Sequence, residues 1–135
     1  MSIPSRHRCL AKSLILAAVG STPLVALAQV PPEACASIAR VREAASARDM
    51  KALRELMAPH FKWTLGPSSE TPQEAIAVWN KAPQALAQLS AASGMKCELL
   101  TKELVQCPAD AGMGYRAGFA LEKGAWMLSH FLEGD

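Results

Sequence analysis

The sequence has few aromatic and charged residues, and neither sign of charge dominates it. Aromatic residues make up 5% of the 135 positions and charged residues 19%, with only one tyrosine. The 14 basic and 12 acidic residues give a formal net charge of +2, and the basic residues are scattered. Without a basic patch the chain lacks the electrostatic footprint of nucleic-acid binding, so we expect no nucleic-acid partner.

Only one long apolar run is present, and it lies near the N terminus. It covers residues 14–27, follows a start that contains three basic residues, and closes on the small-residue pattern Ala26-Leu27-Ala28. This layout predicts a signal peptide over residues 1–28, with cleavage before Gln29. The alternative is an uncleaved membrane anchor, but the helix-breaking Pro23 inside the run favours cleavage.

Cleavage removes the small basic excess and leaves a chain of single-domain size. Three of the 14 basic residues and none of the acidic ones precede Gln29, so the mature chain is close to neutral. Residues 29–135 are enough for one modest core and too few for two domains. We therefore expect one periplasmic or secreted domain, with no stable membrane insertion after cleavage.

Cysteine is scarce, and no CxxC or HxxxH spacing accompanies it. We therefore predict no metal site. The segment around Lys102 is typical of a hairpin that sets Cys97 opposite Cys107, and an exported protein favours a disulfide there. Cys35 is then left over. It is most simply a free buried thiol on a helix, with intermolecular pairing as the alternative.

Capping residues and prolines predict helices in the first half of the mature chain. Pro32 suits the first turn of a helix, and Asp49 and Thr71 are side-chain caps. The predicted elements here are a helix from Pro32, a helix at Met50–Met57, a strand at Phe61–Leu65, and a helix from Thr71 that Pro83 ends or kinks before Gly94.

The clearest local signal is a closing β-hairpin with a two-residue turn at Lys123-Gly124. The turn fixes the register of the hairpin. The expected pairs are Leu121 with Trp126, Phe119 with Leu128, Ala117 with His130, and Tyr115 with Leu132. In this register Tyr115 and His130 share an apolar face. Met127 and Phe131 interrupt the more polar opposite face.

Three segments resemble the NTF2-like (SnoaL-like) superfamily of cone-shaped α+β domains. They are residues 47–63, the helix at 75–79, and the hairpin end Gly124-Ala-Trp126-Met-Leu128. The resemblance implies N-terminal helices packed on a curved antiparallel sheet, here with one disulfide-linked hairpin. It also implies a conical pocket, which His130, Tyr115 and Trp63 would line. The alternative for His130 is a structural histidine near the sheet edge.

The resemblance leaves several functions open. Some members of the superfamily are enzymes, such as ketosteroid isomerases and small dehydratases, which use a pocket Asp or His. No predicted core position here carries an acid, although Glu98 and Glu122 could lie near a pocket mouth. We therefore expect an exported, non-catalytic binding or association module without a cofactor.

Its expected partner is a small apolar molecule or a second copy of the chain, the latter docked on the open sheet face through Met127 and Phe131. The alternatives are a small lyase or isomerase that uses His130 with Tyr115, and a structural subunit of an envelope assembly.

Overall fold

The computed structural model describes residues 29–63, 71–110, 112 and 114–133, so the predicted signal segment lies outside the described residues. Within this part of the chain the elements run in the order α1 Pro32–Ala47, α2 Met50–Leu56, β1 Met57–Lys62, α3 Pro72–Lys81, α4 Gln84–Ser93, β2 Glu98–Thr101, β3 Leu104–Cys107, β4 Tyr115–Glu122 and β5 Ala125–Glu133. None of the described helices is long and apolar enough to cross a membrane.

The helix starts follow the predicted caps. Pro32 occupies the first position of α1. The side chain of Asp49 accepts a hydrogen bond from the amide of Ala52 at 3.0 Å, and that of Thr71 accepts one from the amide of Glu74 at 3.2 Å. Each cap satisfies an amide that has no partner inside its helix.

Two elements in this region, the strand at Phe61–Leu65 and the long helix from Thr71, have bounds in the structure that differ from the predicted ones. The helix from Thr71 is two helices, because α3 ends at Lys81 and α4 begins only after Pro83. Proline has no amide hydrogen and clashes with the preceding turn, so the break falls where proline predicts it. Strand β1 begins earlier than predicted, directly after α2 at Met57.

The five strands form one sheet in the order β1-β5-β4-β3-β2. The α+β class predicted from the sequence is confirmed, but the all-antiparallel sheet is wrong at one edge. Strand β1 runs parallel to β5, whereas the other three pairs are antiparallel. A parallel neighbour needs a long connection, and here α3, α4 and three strands separate β1 from β5.

The disulfide hairpin is present as predicted. Strands β2 and β3 pair antiparallel, and a disulfide joins Cys97 to Cys107 with a Cα–Cα distance of 4.2 Å. Closing so short a loop contributes about 3 kcal/mol by the chain-entropy argument. The expectation of a free thiol at Cys35 is wrong. Cys35 is half-buried and disulfide-bonded.

The helices and one side of the sheet share the hydrophobic core. We call this side the helix face and the opposite side the far face. The helix face carries side chains with 0% exposure from four strands, namely Phe61, Val105, Ala117, Phe119 and Leu128. They cluster with buried residues of α1, α3 and α4, including Val41, Trp79 and Leu89. Because strand residues alternate between faces, the intervening positions lie on the far face.

Candidate functional site

A β-bulge at Ser129 determines which side of the sheet presents His130. Near the turn the hairpin has the predicted register, with Leu121 opposite Trp126 and Phe119 opposite Leu128. The register then shifts, so that His130 pairs with Gly118 and not with Ala117. One extra residue in β5 therefore reverses the face of every residue that follows it.

The bulge separates the two residues that the sequence placed together. Phe131 now pairs with Ala117 on the helix face, where it is 4% exposed and stacks on Tyr115 with ring centroids 5.1 Å apart. His130 lies on the far face beside Gly118. Tyr115 and His130 thus lie on opposite sides of the sheet, and Phe131 supplies no apolar contact to the far face.

The imidazole of His130 occupies the space that a side chain at Gly118 would fill. A Cβ built on Gly118 would overlap the ring atoms Cε1, Nδ1 and Nε2 of His130. The hydroxyl of Ser129 donates to the carbonyl oxygen of Gly118 at 3.2 Å and lies 3.4 Å from Nδ1 of His130. Which atom donates in the second contact depends on the tautomer of the imidazole.

His130 belongs to a polar row that crosses the far face on all five strands. Cross-strand pairs link its members in the order Lys62, His130, Gly118, Gln106 and Glu98. The amide of Gln106 is turned toward the strand end, where Nε2 donates to the carbonyl oxygens of residues 108 and 109. Among the described members of the row, no carboxylate therefore lies next to Lys62 and His130, which form its cationic end.

Arg116 adds a second cation next to the histidine. It pairs with Leu132 in β4–β5, which makes it the diagonal neighbour of His130 on the same face. Among the described residues neither Arg116 nor Lys62 forms an ion pair; the one described ion pair joins Lys96 to Glu98. The far face thus holds two unpaired cations around a half-buried imidazole.

Burial lowers the pKa of His130 below its ordinary value of 6.5, and the positive charges of Arg116 and Lys62 lower it further. The groups that face the ring are Lys62 from β1, Arg116 and Gly118 from β4, and Ser129 within β5, and none of them is acidic. His130 is therefore neutral at pH 7, and one nitrogen of its ring accepts a proton or a hydrogen bond.

The lowered pKa predicts how stability depends on pH. Between the lowered pKa and about 6.5 the unfolded chain binds more protons than the folded one, so the free energy of unfolding falls as pH falls through this window. The variant His130→Gln lacks this pH-dependent part of the free energy of unfolding. Urea unfolding of the wild type and of His130→Gln at several pH values tests the prediction. A wild-type stability that runs parallel to that of His130→Gln across the window contradicts the prediction.

The other two predicted site residues lie on the helix face. Trp63 follows β1 and packs half-buried against the core, and its buried indole N–H has no hydrogen-bond acceptor among the described residues. Tyr115 also packs against the core and borders a cleft of about 340 Å³ with Gly114 and Glu133. The structure does not bring His130 together with Trp63 or Tyr115, and their role in ligand binding stays a prediction.

The sequence analysis missed Lys62, Arg116, Gly118 and Ser129 as parts of a site. A lone glycine inside a strand is the one signal that pointed to a close approach. No group of three or more His, Cys, Asp or Glu side chains within the described ranges is placed to hold a metal ion.

Comparisons with known proteins found similar solved structures. No family model and no curated protein matches the sequence. Two similar solved structures are described as NTF2-like proteins of unknown function, one from Shewanella oneidensis MR-1 and one from Pseudomonas putida KT2440. The first has 10% identity and a TM-score of 0.47 and covers 76% of this chain and 97% of that chain. The second has 15% identity and a TM-score of 0.44 and covers 73% and 81%.

Proposed function

We propose that this chain is an exported, non-catalytic binding module that takes its partner molecule on the far face of its sheet. The observation that carries the proposal is the position of His130, which the bulge at Ser129 places on the far face between Lys62 and Arg116. A neutral imidazole beside two cations offers a polar group both hydrogen bonds and positive charge.

The separation of His130 from Tyr115 supports binding over catalysis. A lyase or isomerase of the kind considered above needs both groups at one substrate atom, within hydrogen-bond distance of the proton that moves. The two side chains lie on opposite sides of the sheet. They therefore have no common space in which to hold a reacting atom.

The disulfide supports the proposal that the protein is exported. The Cys97–Cys107 bond fits an oxidising compartment, in keeping with the signal peptide predicted for residues 1–28.

With Phe131 in the core, the homodimer predicted from Met127 and Phe131 keeps only one of its two apolar contacts.

Mapping a ligand onto the sheet tests the proposal. ¹⁵N–¹H correlation spectra of residues 29–135 are recorded while a mixture of charged and neutral fragments is added. We expect the largest shifts at the amides of Gly118, Ser129 and His130, and their loss in Gly118→Ala. Shifts that cluster around Tyr115 and Gly114, with the far face unchanged, contradict the proposal and place the site in the helix-face cleft.

A further inference from the structure

We infer that the far face binds a small amphipathic carboxylate, with its charged end held by Lys62, Arg116 and His130. The inference rests on the proposed function and names the class of ligand for the same surface. It depends on three observations: unneutralised positive charge, a histidine that gains a donor on protonation, and an apolar strip alongside them.

The positive charge around His130 has no negative partner in the described part of the chain. Lys62 and Arg116 flank His130 on the neighbouring strands β1 and β4, and the described ion pair includes neither of them. An isolated pair of cations beside a partly buried ring disfavours the protonated histidine. An anion placed between them removes that penalty and gains charge-assisted hydrogen bonds from both.

His130 is arranged to supply a third donor when the anion arrives. Its Nδ1 contacts the hydroxyl of Ser129, and protonation makes both ring nitrogens donors. Because a bound anion stabilises the imidazolium, binding is coupled to proton uptake and tightens as pH falls. Glu98, the acid in the polar row, lies three strands away from the histidine and does not compete for this position.

An apolar strip runs beside the polar row on the same face. It consists of Met127, Ala120 and Leu104, which are paired across β5, β4 and β3 and are all half-buried. Ala120 is two residues from Gly118, so the strip lies about 7 Å from the polar row. A molecule with a carboxylate and a short hydrocarbon tail fits both rows at once. A nucleotide or a sugar phosphate leaves the strip unfilled.

Octanoate is the probe that tests this inference. Its binding to the protein is measured by calorimetry and ¹⁵N–¹H spectra at about pH 6 and about pH 8, where its carboxyl group is ionised. Acetate and octanamide serve as controls that lack the tail and the charge. The variants are Lys62→Met, Arg116→Gln and His130→Gln. Lys81→Met, at an exposed position at the end of α3, is the control that removes the same charge elsewhere.

We expect octanoate to shift far-face amides and to bind more tightly at the lower pH. Lys62→Met and Arg116→Gln each weaken binding about tenfold, because each removes a hydrogen bond to a charged group. His130→Gln removes the pH dependence, and Lys81→Met binds like the wild type. Circular dichroism of each variant confirms that it is folded.

Two results overturn the inference, and they are distinguishable from failure of the proposed function. If octanamide binds the far face as well as octanoate does, or the cation variants bind octanoate unchanged, the carboxylate is wrong while far-face binding stands. If octanoate does not bind and the fragment mixture shifts only the Tyr115 cleft, both proposals fail.

Discussion

Replacing Gly118 by alanine is expected to weaken octanoate binding about tenfold while leaving the fold intact. The new Cβ overlaps the imidazole of His130, and a ring at the end of a rotatable side chain moves more easily than the backbone. The displaced ring loses its contact with Ser129 and its place between the two cations. Gly118 does not have the left-handed backbone of Gly112 or Gly124, so alanine is tolerated by its main chain.

The same substitution has a spectroscopic consequence that a general loss of stability does not produce. Moving the ring out of its half-buried position relieves the burial that lowers the pKa of His130, so the pKa rises toward 6.5. Histidine ring resonances followed by NMR against pH report this directly. Gly94→Ala is the matched control, since a Cβ there makes only close contacts with Arg42 and with the carbonyl oxygen of Ala91. An unchanged pKa and affinity in Gly118→Ala would show that the ring is not held over this glycine.

The closing hairpin shows how far the sequence predicts the site. The Lys123-Gly124 turn has positive φ at both residues, as a tight hairpin requires, and it fixes the pairs nearest to it. Beyond Leu128 the spacing of the buried apolar residues changes from two to three, since the next one is Phe131 and not His130. That three-residue step, opposite a lone glycine, is the signature of the bulge. Strict alternation treats Phe131 as an exception and so places His130 on the wrong face.

Other parts of the fold depend on information that local patterns do not carry. Caps at Asp49 and Thr71 act within a few residues of the chain, so they are predictable from the sequence and are confirmed. The parallel pairing of β1 with β5 joins segments far apart in the sequence, and nothing in Met57–Lys62 specifies direction. The cations at Lys62 and Arg116 become neighbours of His130 only through that pairing and the bulge.

Replacing Trp79 by alanine is expected to give the largest loss of stability in the chain, about 3–5 kcal/mol. The indole is 3% exposed and packs edge-on against two rings, with centroids 5.6 Å from Phe61 and 6.0 Å from Phe131. These contacts join α3 to both strands of the parallel pair. Small domains are stable by about 5–15 kcal/mol, so Trp79→Ala leaves little margin, which urea unfolding measures.

Trp63 provides the comparison that separates this packing from the general effect of losing an indole. Trp63 is half-buried, and it makes no described ring contact, so Trp63→Ala is expected to cost clearly less than Trp79→Ala. Trp79→Leu keeps part of the buried apolar surface and remains folded enough to measure if the alanine variant does not. Equal losses for Trp63→Ala and Trp79→Ala would mean that the Phe61–Trp79–Phe131 contacts do not anchor α3. The same rings hold β1 against β5 and thereby set Lys62 beside His130. The position of β1 would then need another source of stability.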